Sequence, residues 1–127
     1  MHITLLVDDY DLAIDFYTKK LNFTLVGDTI LTPTKRWVII APPGSAECCL
    51  LLAKAANQKQ QSRIGNQTGG RVFLFLQTND FMGDFAKLKS NGVKIIREPS
   101  TEDYGTVAVF ADLYGNLWDL IEPTNKV

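Results

Sequence analysis

The sequence predicts an α+β protein built from two tandem βαβββ units, and two observations carry that reading. Displaced by 69 positions, the chain matches itself without a gap: Ile3–Asp28 lies over Val72–Arg97, with Asp11 over Asp80, Asp15 over Asp84, Phe16 over Phe85, Lys20 over Lys89 and Asn22 over Asn91. In both halves a β-rich apolar run, a stretch of helical spacing and three further β-rich runs follow in the same order. Neither half is large enough to bury its own sheet face, so the two are expected to share one domain.

Taken in order, Ile3–Val7 reads as the first strand, and Asp8 and Asp9 are candidates to cap the helix after it. Ala13, Phe16, Tyr17 and Leu21 recur at helical spacing, with Asp11 and Asp15 early and Lys19 and Lys20 late, as the helix dipole favours. Asn22 stands where the second half has Asn91-Gly92, a left-handed helix stop. Phe23–Val26, Arg36–Ala41 and Cys48–Leu52 complete the first unit as strands, with Pro42-Pro43-Gly44 as a turn. In the second unit Val72–Leu76 is the first strand and Thr78 or Asn79 the helix cap. Phe81, Phe85 and Leu88 form the buried stripe, and Val93–Arg97, Thr106–Ala111 and Leu117–Glu122 are the remaining strands. The expected division is module one over 1–53, a polar linker over 54–70, and module two over 71–123. The linker is read as either a mobile tether or a lid, and Pro99–Gly105 as either a loop that closes over a ligand or, more commonly for such a segment, a surface turn.

Composition excludes several classes. Of 127 residues 46% are apolar and 21% charged, and the net charge of −1 gives no basic face for nucleic acid. No apolar run approaches the ~20 residues of a membrane span, and no signal peptide precedes the first strand. Cys48 and Cys49 are adjacent and point to opposite faces of a strand, which makes them poor disulfide partners. A cytoplasmic protein is expected.

VDDYDLAIDFYTKKLNF, GGRVFLFLQTND and FADLYGNLWDLIEP together resemble the vicinal oxygen chelate superfamily, which includes glyoxalase I, bleomycin-resistance proteins, fosfomycin-resistance enzymes and extradiol dioxygenases. The D-x-x-G-N-x-x-D element at Asp112–Asp119 is the most specific part; many members carry Pro where this chain has Leu113. The resemblance implies a curled mixed sheet, shaped as a cup with helices outside, and commonly a homodimer. It also implies metal ligands from the first and last strand of each module, which fall here on His2 and Asp119. The internal repeat supplies the other two positions as Arg71 and Leu50, and strand parity aims all four into the cup.

This quartet is poor in donors. Leu50 has none, Arg71 is a fixed cation, His2 is the only histidine, and Asp119 is one methylene shorter than the Glu usual in the family. Arg71 either pairs with Asp119 or grips a carboxylate or phosphate. His2 is either a frayed surface imidazole or, with Asp119, an acid–base pair or polar contact. Phe73, Phe75, Trp37 and Phe110 would give the cup apolar walls, Leu50 would lie among the lining residues, and Tyr104 would stand at its rim. The expected function is binding of a small, partly apolar molecule in the cup, with Arg71 as the anchor if that molecule is an anion, and with no cofactor. The alternative is a lactoylglutathione-lyase-like, isomerase or dioxygenase activity with Zn, Ni, Mn or Fe held by His2 and Asp119. A third reading is a partner-binding role through the dimer.

Overall fold

Eight strands and three short helices make up residues 1–124, the part of the chain that the computed structural model describes. The first unit, Met1–Gly65, contains β1 (His2–Val7), α1 (Tyr10–Asp15), β2 (Thr24–Thr32), β3 (Lys35–Ala41), β4 (Cys49–Lys54) and α2 (Gln58–Gln61). The second begins at Asn66 and contains β5 (Val72–Gln77), α3 (Phe81–Ser90), β6 (Lys94–Glu102), β7 (Gly105–Ala111) and β8 (Leu117–Pro123). Each unit holds one four-stranded mixed sheet, in the orders β1-β4-β3-β2 and β5-β8-β7-β6. The first strand of each runs parallel to the last, and the other pairings are antiparallel. This is the two-module α+β architecture expected from the repeat.

The helices begin and end as their sequences dictate. Asp9 caps α1 by accepting a hydrogen bond from the Leu12 amide at 2.9 Å. In α3 the cap is Asp80, which accepts from the Gly83 amide at 3.3 Å, and neither Thr78 nor Asn79 takes that role. The Thr78 hydroxyl instead accepts from the Asp80 amide, and Glu122 accepts from the Phe81 amide at 2.8 Å. Both helices stop on a left-handed residue, Asn22 (φ 61°) and Gly92 (φ 77°). The first helix is one residue longer between cap and stop, and it accommodates that residue as a π-helical turn over Phe16–Lys20.

The main core lies on one face of each sheet, and on the other face of the first sheet Ile39, Ala41 and Cys49 are also buried with Leu51 packed against them. Leu5, Val7, Tyr17, Val38, Ile40 and Leu52 are wholly buried in the first unit, as are Phe110 and Leu120 in the second. Each is worth about 1.5–3 kcal/mol relative to exposure. Phe81, Phe85 and Leu88 of α3 are buried, and that helix packs on β8.

Two segments are more regular than their sequence conveys. Pro99–Gly105 is no loop: β6 runs through Pro99 to Glu102 and turns tightly at Asp103-Tyr104 into β7. Proline is admitted because β6 is a sheet edge and the register shifts between Arg97 and Ser100. The 54–70 segment is not structureless either. Lys54 still belongs to β4, and Asn57 caps the α2 turn by accepting from the Gln60 amide at 2.9 Å.

Candidate functional site

One of the rungs that cross the second sheet from edge to edge places four unlike side chains in a row. Arg97 on β6 pairs with Val109 on β7, Val109 with Asp119 on β8, and Asp119 with Phe75 on β5. Residues paired in this way share a face, so a cation, a hydrocarbon, an acid and an aromatic ring lie side by side. The corresponding rung of the first sheet reads Gly27, Ile39, Leu51 and Thr4, without a charge. The two copies therefore share a backbone plan but not a surface.

The charged rung floors a cleft of about 570 Å³ within the second unit, walled also by Thr68, Gly70, Arg71, Val72, Ile96 and Leu117. That volume lies in the range of small-molecule sites. Phe75 is 62% exposed, an unusual position for a large ring on a sheet face. Oδ1 of Asp119 is buried and has no hydrogen-bond partner among the described residues. Neither Arg71 nor Arg97 makes a salt bridge among the described residues. Burial raises the Asp119 carboxyl above its ordinary pKa, and the positive field of Arg97 opposes that rise.

The raised pKa has a direction in stability. Its stabilising contribution is complete below the unfolded-state pKa and is lost as pH rises through the higher folded-state value. Asp119→Asn removes the titration. The variant is expected to gain on the parent protein, in urea midpoint, as pH is raised from the ordinary carboxylate range to neutrality. A difference that stays constant across that range would show that the carboxyl is not strained by burial.

Of the residues expected from the sequence, Arg71, Phe75 and Asp119 come together in this cleft. Phe73 does not line it, because the register shift between Val72 and Leu74 breaks the alternation there and gives Val72 the position assigned to its neighbour. Leu50 pairs with Ile3 and Ile40 and is buried; its counterpart in the second sheet is Trp118, on the core face. Phe110 also lies on that core face, wholly buried and stacked on Trp118 at 6.1 Å. Tyr104 is exposed at the β6–β7 turn and does not line the cleft. His2 and Trp37 belong to the first unit, where their rings meet edge to face at 6.2 Å. His2 pairs with Cys49, and Trp37 is 45% exposed.

Arg97 is the residue that sequence reasoning missed. A signal was present: Ile95 and Ile96 are adjacent apolar residues just before it, which breaks strand alternation and marks the bulge that turns Arg97 to the cleft face.

The corrected register also bears on metal binding. The four matched positions are His2, Leu51, Val72 and Asp119, of which two are hydrocarbons. Among the described residues no three His, Cys, Asp or Glu side chains gather to hold an ion. A dication at Asp119 would also meet the field of Arg97. Of these positions only His2 and Asp119 carry donor atoms.

A second, smaller depression of about 270 Å³ in the first unit is lined by Asp9, Tyr10, Asp11, Arg36 and Lys54, among others. Its arginine is already engaged. Arg36 forms a bidentate pair with Asp28 (3.1 and 2.6 Å), reaches Asp11 at 3.0 Å and lies over the Tyr10 ring at 5.1 Å. This clamp ties α1 to the β2–β3 hairpin, and its hydrogen bonds to Asp28 and then Asp11 push the guanidinium pKa further up.

Comparison with known proteins follows the same lines. A model of the Glyoxalase/Bleomycin resistance protein/Dioxygenase superfamily matches residues 1–120. An uncharacterized protein of Shewanella frigidimarina (strain NCIMB 400) is 55% identical over 127 residues, covering 99% of this chain and 94% of that protein. The crystal structure of UcmS2 superposes with a TM-score of 0.82 at 28% identity, covering 94% of each chain. That of TnmS3, an antibiotic binding protein from Streptomyces sp. CB03234, gives 0.78 at 29% identity, covering 97% of this chain and 93% of the other. Among the described residues no helix is long and apolar enough to cross a membrane.

Proposed function

The chain belongs to the glyoxalase/bleomycin resistance protein/dioxygenase superfamily, and on that premise we propose that it binds a small, aromatic or polycyclic organic anion in the cleft of its second unit. The observation that carries this reading is the Arg97–Val109–Asp119–Phe75 rung. Arg97 supplies a planar fork of donors suited to a carboxylate. Phe75, Ile96, Val109, Val72 and Leu117 supply apolar surface for the body of the ligand. Arg71, at the mouth, adds positive charge that draws an anion in. The likeness to an antibiotic-binding protein at 29% identity supports a binding role for this chain.

A metal-dependent lyase, isomerase or dioxygenase draws less support, since Leu51 and Val72 offer no ligand atoms. Isothermal titration with naphthoate tests the preferred reading, with the neutral alcohol naphthalenemethanol as its control. The acid is expected to bind one to one with a sub-millimolar Kd, and the alcohol at least about tenfold more weakly, because it forfeits the charge-assisted contact. Equal binding of the two, or binding of neither, would overturn the proposal.

A further inference from the structure

Resting on that reading of the cleft, we infer that the ligand is amphoteric in its hydrogen bonding: an aryl carboxylate that also carries a hydroxyl or N–H donor, the donor being taken by the Asp119 carboxylate that lines the cleft. An arginine would suffice to bind a simple anion, and a carboxylate beside the ligand would then only repel it. Yet the rung sets an acid two strands away from Arg97 on the same face, with Val109 between them. Adjacent strands lie about 4.8 Å apart, so a spacing of two strands separates the two backbones by roughly 10 Å. No ion pair closes that gap among the described residues. Val109, buried at 6% exposure, fills the strand between them and offers no polar side-chain group.

The two charged groups are thus spaced apart by hydrocarbon and left with open valences of opposite kind. Arg97 can only donate, and an ionised Asp119 can only accept. Oδ1 of Asp119 is buried and without a partner among the described residues. A buried acceptor in that condition costs stability until something donates to it. A fused aromatic body with an acidic group at one end and a donor at the other spans this spacing. It would lie over Val109 with one ring against Phe75. A plain aryl acid satisfies only Arg97 and covers the Asp119 carboxyl without donating to it. The site therefore discriminates by penalty: the analogue that lacks the donor covers the half-buried Asp119 carboxyl without giving it a partner.

The test uses the intact protein and three matched sets of ligand: naphthoate, its positional hydroxy isomers and the corresponding methoxy isomers. Binding is measured by titration calorimetry at neutral pH. At least one hydroxy isomer is expected to bind about tenfold or more tightly than naphthoate, as for a hydrogen bond to a charged acceptor. Its methoxy partner, which keeps the oxygen and loses the proton, is expected to show no such gain. In Asp119→Leu the ratio between that hydroxy acid and naphthoate is expected to collapse to about one. If naphthoate binds but no hydroxy isomer exceeds it, the inference fails while the anion-binding function stands. If the methoxy isomer gains equally, the effect is apolar contact and the inference again fails. If none of these acids binds, function and inference fall together. The comparison in the unmodified protein is decisive even where the leucine variant does not fold.

Discussion

Replacing Arg97 by alanine is expected to weaken naphthoate binding by about 30-fold, within the range of 10- to 100-fold that follows from losing a charge-assisted hydrogen bond of about 1.5–3 kcal/mol. The loss should be larger than that of Arg71→Ala. Both arginines are exposed, but Arg97 sits on the rung itself, two strands from Asp119, and its field reaches that carboxyl, whereas Arg71 stands at the mouth of the cleft. Arg97→Lys should fall between, since it keeps the charge and loses the planar fork. A second effect goes with the first. Arg97 is the group whose field opposes the upward shift of Asp119. Without it the Asp119 carboxyl moves further up, so stability declines with rising pH over a wider window than in the parent protein. Calorimetric titration gives the affinity and urea midpoints against pH give the second effect. Binding in Arg97→Ala within about twofold of the parent would remove Arg97 from the site.

How Arg97 escaped sequence reading, while so much else was legible, has one physical cause. The order of elements, the cap at Asp9, the stop at Asn22 and the buried stripe of α3 rest on periodicity and on residue chemistry, which a sequence displays directly. Side-chain direction on a strand rests on parity, and a slip of one residue reverses it. The 69-residue displacement is a compromise. The caps Asp9 and Asp80 stand 71 positions apart, Ile39 and Val109 stand 70 apart, and Leu51 and Asp119 stand 68 apart. The differences are absorbed by a π-helical turn in the first helix, a bulge in β5 and unequal turns before β4 and β8. Each is a one- or two-residue adjustment of the backbone, and the apolar run from Val72 to Leu76 has no polar residue to mark where it occurs. Leu50 therefore falls on the core face and Phe73 in the bulge, and the counterpart of His2 in the second sheet is Val72, not Arg71. Asp119 was found because its motif fixes it by turn chemistry, independent of any strand count.

That turn makes the largest stability prediction. Asp112→Ala is expected to cost about 3–4 kcal/mol, read as a fall of roughly 10 °C in Tm for a protein of this size. Asp112 and Asn116 are the two buried polar residues among those described, at 5% and 3% exposure. The Asp112 carboxylate accepts hydrogen bonds from the Tyr114 amide, the Asn116 amide and Asn116 Nδ2, each at 2.9 Å. Its own amide donates to the Asn116 carbonyl at 2.9 Å, which closes the loop, and Gly115 takes φ 102° to complete the turn. Alanine deletes the acceptor of three donors at once and leaves the buried Asn116 amide group without that partner. Asp112→Asn keeps one acceptor oxygen and should lose about half as much. The consequence reaches the cleft because Leu117 follows the turn directly and Asp119 lies two residues further along the same face. Molecules of Asp112→Ala that remain folded should therefore bind naphthoate more weakly than their distance from the ligand suggests. Thermal and urea unfolding measure the first effect, and titration well below the new Tm measures the second. A loss of under about 1 kcal/mol would mean that the D-x-x-G-N turn is held by backbone geometry alone, and that Asp119 owes its position to the sheet and not to this carboxylate.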